Sequence, residues 1–472
     1  MLPVNKDPRR TFGQFLPLIV AAVFAALGMA TLPDYGVTWD MALGDLYYGD
    51  RYLYYFVKGL DQTYLDDTQR ALPFYQESDQ VDLYQSPWRA QPLHYYPVGN
   101  MVCAACGWLF NRQLDWLDSI DGRHAGIVLL ASLSILATGL FARWRYGLLA
   151  GLMAMVLLAL HPRFWGHAHN NVKDIGVLAF YTCTVVSFYA AVTRPSARMM
   201  LVSGVCFGLA LGTKLNAAFL PLILAPWLLL VLLTPRSEAK PYSNRWIASL
   251  AAWPILGIFL LIGSWPWLHP GRFGRLLEHV SFFYERGASG PDHWQSDPLY
   301  LAVLATPVTF LVLLPIGLVI AAIHARRNRE ALYGLVLLLL WLVIPLLRVS
   351  APGSNNFDGI RHFLEFLAPA AILSGLGAAG VIRLATAKLS GWPRPVVGAL
   401  VVVAFLAEPA VQLIRYHPYQ TTYVNIPALP GQPRESSCDY WGNSYRMGLR
   451  WLNEHAPSGS TVSELVPGHI TP

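Results

Sequence analysis

The chain has 472 residues, of which 54% are hydrophobic and only 13% charged, against about 25% charged in soluble globular proteins. With a mean hydropathy of +0.40, this composition excludes an ordinary soluble domain and points to an integral membrane protein. The net charge of +6 implies no nucleic-acid partner, because the basic residues fall in short clusters between apolar runs.

The first apolar run, Phe15–Leu32, lacks a small-x-small cleavage site and reads as a retained span. Lys6, Arg9 and Arg10 before it place the N-terminus in the cytoplasm by the positive-inside rule. The segment Pro33–Gln91 is then external. It is rich in tyrosine and in acids (Asp34, Asp40, Asp45, Asp50, Asp61, Asp66, Asp67, Glu77, Asp79 and Asp82). Within it, Trp39–Leu60 reads as an amphipathic helix lying in the interface.

The stretch Leu93–Phe110 decides the topology. It contains Pro97, Gly99, Asn100 and Gly107, and falls short of the roughly 20 apolar residues a span needs. If it crossed, every later basic loop would lie outside. If it lies in the interface, Arg143/Arg145, Arg194/Arg198, Arg236/Lys240/Arg245, Arg326/Arg327/Arg329 and Arg383/Lys388/Arg394 are all cytoplasmic, which the charge rule selects. Further spans are expected near 124–142, 147–161, 174–193, 199–213, 216–233, 246–267, 299–322, 332–349, 362–382 and 396–414, about eleven with the first. The expected organisation is an all-α polytopic transmembrane region over 1–414, with interfacial helices in its first external loop (33–123), and a short external tail over 415–472.

This topology gathers Asp34–Asp45, His161–Asp174, Trp267–Asp297, Arg348–His362 and the tail on one face. The densest polar stretch is His161–Asp174, HPRFWGHAHNNVKD, set between two apolar runs. Asp40 has two readings: a helix N-cap before Met-Ala-Leu, or a general base accepting the proton of an attacking hydroxyl. Asp34 reads as a turn residue and Asp45 as a solvated one. Asp174 also stands where a cap would, but Lys173, His167 and His169 beside it suggest a site in which Asp174 orients acceptor or sugar. The HxH pair with a carboxylate is a possible divalent-metal set; hydrogen bonding by neutral histidines is the commoner use, and no metal is assigned. Cys103 and Cys106 form a CxxC without a second pair or a histidine partner, which reads as packing, and Cys438 stands alone in the tail.

HPRFWGHAHNNVKD resembles the second acidic motif of glycosyltransferase family 39 and its relatives. These are GT-C-fold enzymes that include the protein O-mannosyltransferases and the aminoarabinose transferase of lipid A. Three further stretches agree: Gly208-Leu-Ala-Leu-Gly-Thr-Lys214-Leu-Asn216, Asp358-Gly-Ile-Arg361-His362-Phe363, and Tyr416–Asn425 followed by Asp439-Tyr-Trp-Gly-Asn-Ser-Tyr445. The resemblance implies a GT-C fold in the plasma (inner) membrane, a sugar donor on polyprenyl phosphate, and a protein, lipid or polysaccharide acceptor at the external face. It carries a base in the first loop onto Asp40 and a second acid onto Asp174. The family pattern has two adjacent acids in the first loop. Here Met41 follows Asp40, so Asp34 and Asp45 stand as alternatives.

A polyprenyl phosphate leaving group calls for nearby cations. Lys214, Arg272 and Arg361 are the candidates, and interfacial snorkelling is their structural alternative. Lys173, His167, His169 and His362 join them as donor- or substrate-binding residues. A base opposite the leaving phosphate gives a single displacement with inversion, and no second nucleophile for a retaining route is evident. The competing class is a secondary transporter, which places ionisable residues near the bilayer midplane of repeated halves. Here the span cores carry almost no charge and no repeat is visible.

Overall fold

The computed structural model describes residues 8–66, 95–234, 242–425 and 439–461. Lys6, Asp67, Glu77, Asp79, Asp82, Arg236, Lys240 and Cys438 lie outside them. The described residues form helices α1 (Pro8–Ala30), α2 (Leu46–Val57), α3 (Thr63–Asp66), α4 (Pro97–Gly107), α5 (Ser119–Tyr146), α6 (Leu148–Leu160), α7 (Pro162–Asn170), α8 (Val172–Thr193) and α9 (Ala197–Leu211). These are followed by α10 (Leu220–Leu233), α11 (Asn244–Ser264), α12 (Arg272–Gly287), α13 (Asp297–Leu304), α14 (Val308–Arg327), α15 (Arg329–Ser350), α16 (Leu367–Ala385), α17 (Pro393–Arg415) and α18 (Tyr445–His455).

Local sequence sets many of the boundaries. Asp118 accepts from the Ile120 and Asp121 amides at the start of α5, at 2.9 and 2.7 Å. Ser196, Ser243 and Asn328 cap α9, α11 and α15 in the same way, each satisfying a free first-turn N–H. Gly147, at φ +94°, turns the chain between α5 and α6, a conformation that costs other residues their Cβ clearance.

Among the described residues nine helices are long and apolar enough to cross a membrane, or ten if α6 and α7, bent by 66°, form one span. The protein is therefore multi-pass. The eleventh expected segment is α9, whose 15 residues rise only about 22 Å against a hydrocarbon core of about 30 Å. The expected span 299–322 is broken instead: α13 ends at Leu304, and α14 starts after Pro307, which is extended. The eleven-residue α4 is not among the spanning helices, as the interfacial reading of 93–110 requires.

The span Arg361–Ala385 is the axis of the bundle, 89% of its apolar window being buried against 6% for α17. Its small residues make this possible. A Cβ on Gly317 would lie 1.8 Å from the Leu373 carbonyl oxygen, and one on Gly377 would lie 2.1 Å from that of Leu313. Backbones of α14 and α16 thus touch, the route by which helices associate where no hydrophobic drive separates them from lipid.

Two segments differ from expectation. The Trp39–Leu60 stretch does not lie with one face open: Tyr47, Tyr48, Asp50, Arg51, Tyr52, Tyr54 and Tyr55 are all buried. Gly49 packs close against the backbone of Asn100 in α4, and Asp50 pairs with Arg123 of α5 at 2.8 Å. Tyrosine rings supply both the apolar bulk and the polar tips, so the helix reads as amphipathic yet tolerates cover on every side. The His161–Asn170 stretch, expected as a dense polar stretch at the membrane surface rather than a mere connector, is buried instead. It forms helix α7, with Arg163 Nε donating to the Tyr423 carbonyl at 2.9 Å.

The ends of the bundle segregate as the charge pattern requires. At one end Arg143 donates to the Gln14 carbonyl (3.2 Å), Arg145 to that of Glu330 (2.8 Å) and Arg383 to that of Tyr146 (3.4 Å). The acidic motifs meet at the other.

Candidate active site

Asp40, itself in helical conformation (φ −62°, ψ −36°), immediately precedes a helical turn, Met41–Asp45, yet its side chain makes no capping hydrogen bond. It faces Lys173 Nζ and Arg361 Nη1 instead, each at 3.4 Å. Asp174 is released from capping as well, because Asn171 does that work: its Oδ1 accepts from the Asp174 amide at 3.1 Å. The Asp174 carboxylate accepts from Asn171 Nδ2 at 2.8 Å and from Lys214 Nζ, and lies 3.7 Å from Arg361 Nη1. The capping readings of both acids give way to one ion cluster.

Arg361 is its centre. Its Nη2 and Nε donate to Asp358 Oδ2 at 2.7 and 2.9 Å, which leaves Nη1 turned between Asp40 and Asp174. Asp358 and Gly359 both have positive φ, +58° and +68°, so an Asp-Gly turn in the left-handed region presents the carboxylate beside its own arginine. Lys173 also reaches Asp45 at 3.4 Å, and Asn100 Nδ2 donates to Asp45 at 3.0 Å. His362 Nδ1 accepts from Lys214 Nζ at 3.3 Å. Beneath it, Arg348 and Asn216 both donate to the His362 carbonyl, Asn216 at 2.8 Å, fixing the loop that carries Arg361.

The carboxylates differ in state. Burial opposes the charge on Asp40, but Lys173, Arg361 and Lys214 outweigh it and hold the carboxyl down at about 2. Burial dominates at Asp45, raising it to about 6 against the pull of Lys173 and Asn100. Burial also raises Asp358, with Arg361 opposing. Asp40 is therefore ionised throughout the physiological range. At 25% side-chain exposure it is also far more open than Asp174 at 1% or Asp45 at 3%.

The structure thus brings together Asp40, Asp45, Lys173, Asp174, Lys214, Arg361 and His362. It leaves out two. Asp34 pairs with His417 at 3.0 Å. His169 stacks on Tyr35 (3.9 Å between centroids), with Nδ1 donating to the Trp165 carbonyl at 2.8 Å and Nε2 2.9 Å from the Thr31 hydroxyl. His167 lies at the edge of the cluster, its Nδ1 bonded by Asn171 at 3.1 Å. The HxH pair therefore diverges, and among the described residues no three His, Cys, Asp or Glu side chains form a group suited to a metal. Arg272 begins α12, and its side chain lies outside the described residues.

Sequence reasoning assigned no role to Asp358, Asn171 or Trp441. The Asp-Gly pair was a signal for the first; the others owe their places to packing alone. Beside the cluster, Lys173 lies over the Tyr95 ring (4.8 Å), Tyr95 stacks on Tyr48 (5.1 Å), and beyond it a cavity of about 160 Å³ is lined by Tyr48, Tyr52, Gln62, Leu65, Pro266, Trp267 and Arg275.

Residues 120–267 match the family model described as dolichyl-phosphate-mannose-protein mannosyltransferase. The match covers less than half of the chain but includes Lys173, Asp174 and Lys214. No curated protein matches by sequence. Among solved structures, the chain is similar to ArnT from Cupriavidus metallidurans bound to undecaprenyl phosphate: 17% identity, 84% of this chain and 70% of that one, TM-score 0.52. It is also similar to the archaeal oligosaccharyltransferase AglB from Archaeoglobus fulgidus in complex with an inhibitory peptide and a dolichol-phosphate: 15% identity, 95% of this chain, TM-score 0.53. The chain spans 59% of AglB's length. With its order of spans and interfacial helices, the chain has the GT-C membrane fold.

Proposed function

We propose that the protein transfers a sugar from a polyprenyl-phosphate donor to an acceptor hydroxyl at the external membrane face, with inversion. The observation that carries this reading is the cluster itself. Lys173 and Arg361 are held against one partly open carboxylate, Asp40, with Lys214 on the buried Asp174 beside it, at the end of the bundle that the charge rule assigns to the outside. The acceptor oxygen attacks the anomeric carbon as the bond from that carbon to the phosphate oxygen breaks. Asp40 takes the hydroxyl proton, and the polyprenyl phosphate leaves carrying the negative charge.

Asp40 is a weak base while both cations face it. Its contacts to Lys173 and Arg361 are both 3.4 Å, long for a hydrogen bond, whereas Asp358 holds Arg361 at 2.7 Å. A donor phosphate draws Lys173 and Arg361 Nη1 toward itself, and the proton affinity of Asp40 rises as they leave. Asp174, closed in by Lys214, Asn171 and Arg361, then serves to aim the cations, a different role from the sugar orientation expected of it. The aromatic and amide-lined cavity beyond Tyr95 and Tyr48 offers the donor sugar a seat. A transporter reading gains nothing from the structure, since its buried ion pairs gather at one end of the bundle.

The test is transfer by purified protein in detergent, with radiolabelled polyprenyl-phosphate sugars and an extract of the native envelope. Labelled product is expected, and its loss in Asp40→Asn and Asp174→Asn. Neither transfer nor saturable donor binding with any sugar would refute the proposal.

A further inference from the structure

Residues 439–444, just before α18, lie over the ion cluster. Asp439 closes a turn there by accepting from the Ser444 amide at 2.6 Å and the Trp441 amide at 3.3 Å, and Gly442 completes it at φ +73°. The turn is anchored on the first loop at several points. Asn443 Oδ1 accepts from the Gly36 amide at 2.8 Å, and Arg446 donates to the Tyr35 carbonyl at 2.7 Å and to Asp121 at 2.9 Å. A Cβ on Gly36 would lie 2.7 Å from the Asn443 carbonyl oxygen, so the two strands of chain are in direct backbone contact.

This delivers Trp441, 4% exposed, onto the site. Its ring centroid is 4.8 Å from the Arg361 guanidinium carbon and 5.6 Å, edge-on, from the His167 ring. Its carbonyl accepts from the amide of Trp39, the residue before Asp40, at 3.0 Å. One residue thus touches the two segments that carry the base and the central cation. An aromatic face is suited to this work. It attracts a guanidinium without neutralising it and without occupying its N–H donors, so Arg361 is held in place yet stays free to bind an anion. Phe357, the other ring near Arg361 (5.4 Å), is 38% exposed and so provides a weaker support.

We infer that Trp441 is a positioning residue of the proposed transfer reaction: its ring holds the Arg361 guanidinium with Nη1 between Asp40 and Asp174, its carbonyl fixes the Trp39–Asp40 segment, and the tail thereby completes the active site. The inference rests on the proposed transfer, and its test separates the two. In the transfer assay, Trp441→Leu keeps the apolar bulk but loses the π face, and lowers kcat by about ten- to thirtyfold, the worth of a desolvated cation–π contact. Trp441→Phe recovers most of that loss. In an Arg361→Gln background, where no cation remains over the ring, Trp441→Leu costs less than about threefold more. Equal costs in both backgrounds, or a Phe variant as poor as the Leu one, would make Trp441 a packing residue and overturn the inference. A second measurement needs no turnover: phenylglyoxal labelling of Arg361, read by mass spectrometry against Arg143 at the opposite end. Trp441→Leu raises Arg361 labelling several-fold; unchanged labelling overturns the inference. A wild-type protein that transfers nothing sinks the transfer reading, and the labelling still decides the contact.

Discussion

Replacing Asp40 by Asn tests the base assignment directly, and the structure limits what else the change can do. Two unit charges 3.4 Å from Asp40 would each attract it by about 5 kcal/mol at an effective dielectric of 20. Most of that is consumed by desolvation. The net displacement of its carboxyl from 3.8 to about 2 corresponds to only about 2.4 kcal/mol in favour of the charged form. Asn forfeits at most that amount. Lys173 keeps Asp45, and Arg361 keeps Asp358 and Asp174, so neither cation is stranded. The stability cost is therefore a few degrees of melting temperature at most, whereas loss of a general base lowers turnover by about 10²–10⁴. Because its folded pKa is depressed, the stabilisation by Asp40 is present above the unfolded value and lost only as pH falls toward 2. Titration of Asp40 itself therefore adds no slope to the melting-temperature gap between pH 5 and 8; a slope there comes from Asp45, whose carboxyl Asp40 helps to raise. Single-turnover transfer with labelled donor, paired with tryptophan-fluorescence melts, reads both quantities. A variant that folds and transfers at near wild-type rate would refute the assignment.

Asp45→Asn behaves oppositely with pH. Its folded pKa of about 6 lies above the unfolded value of 3.8, so the wild type carries a stabilisation that is full below 3.8 and lost as pH rises through 6. The variant gains on wild type by up to about 3 kcal/mol between pH 4 and 7.5, seen as converging or crossing melting curves; a pH-independent difference would contradict the buried state of Asp45. His169→Ala breaks the contacts to Tyr35, Thr31 and Trp165 without touching the ion cluster. It lowers the melting temperature but leaves kcat within about threefold in detergent assays; a loss as large as that of Asp40→Asn would return His169 to the site. Gly317→Ala sets a methyl 1.8 Å from the Leu373 carbonyl oxygen and forces α14 from α16, costing at least the 1–3 kcal/mol typical of overpacking. An unshifted melt would mean that these helices do not meet there.

Much of the architecture is legible without coordinates because it depends on local quantities. An apolar run long enough to span, a proline or capping residue at its end, and the bias of arginines toward one set of loops are properties of neighbouring residues. They placed most of the spans, the non-crossing Pro97–Gly107 helix and the common end at which the acidic motifs meet. Candidate residues could be named on the same basis, since charge at the ends of apolar runs is costly and rarely idle.

Which of those residues face one another depends on contacts between distant parts of the chain. Asp40 meets Lys173 across 133 positions and Arg361 across 321. No periodicity reports such a meeting: the sequence ranks Asp40 ahead of Asp34 and Asp45 and reads Asp45 as solvated, but only packing separates the surface pair, the partly open carboxylate and the buried one. The same holds for the two histidines of His167-Ala-His169, which lie on one short helix yet turn to different neighbours. The buried tyrosines of α2 look amphipathic because the sequence shows which side chains are polar but not what covers them. Trp441 is the extreme case: an indole in a polar tail carries no local sign of its target, and its place over Arg361 follows from the Asp439 turn and the Arg446 anchor acting at a distance. Sequence alone determined most of the helices and the end of the bundle where the acidic motifs meet; tertiary structure alone decided the pairing of charges, because pairing is a matter of distance in space.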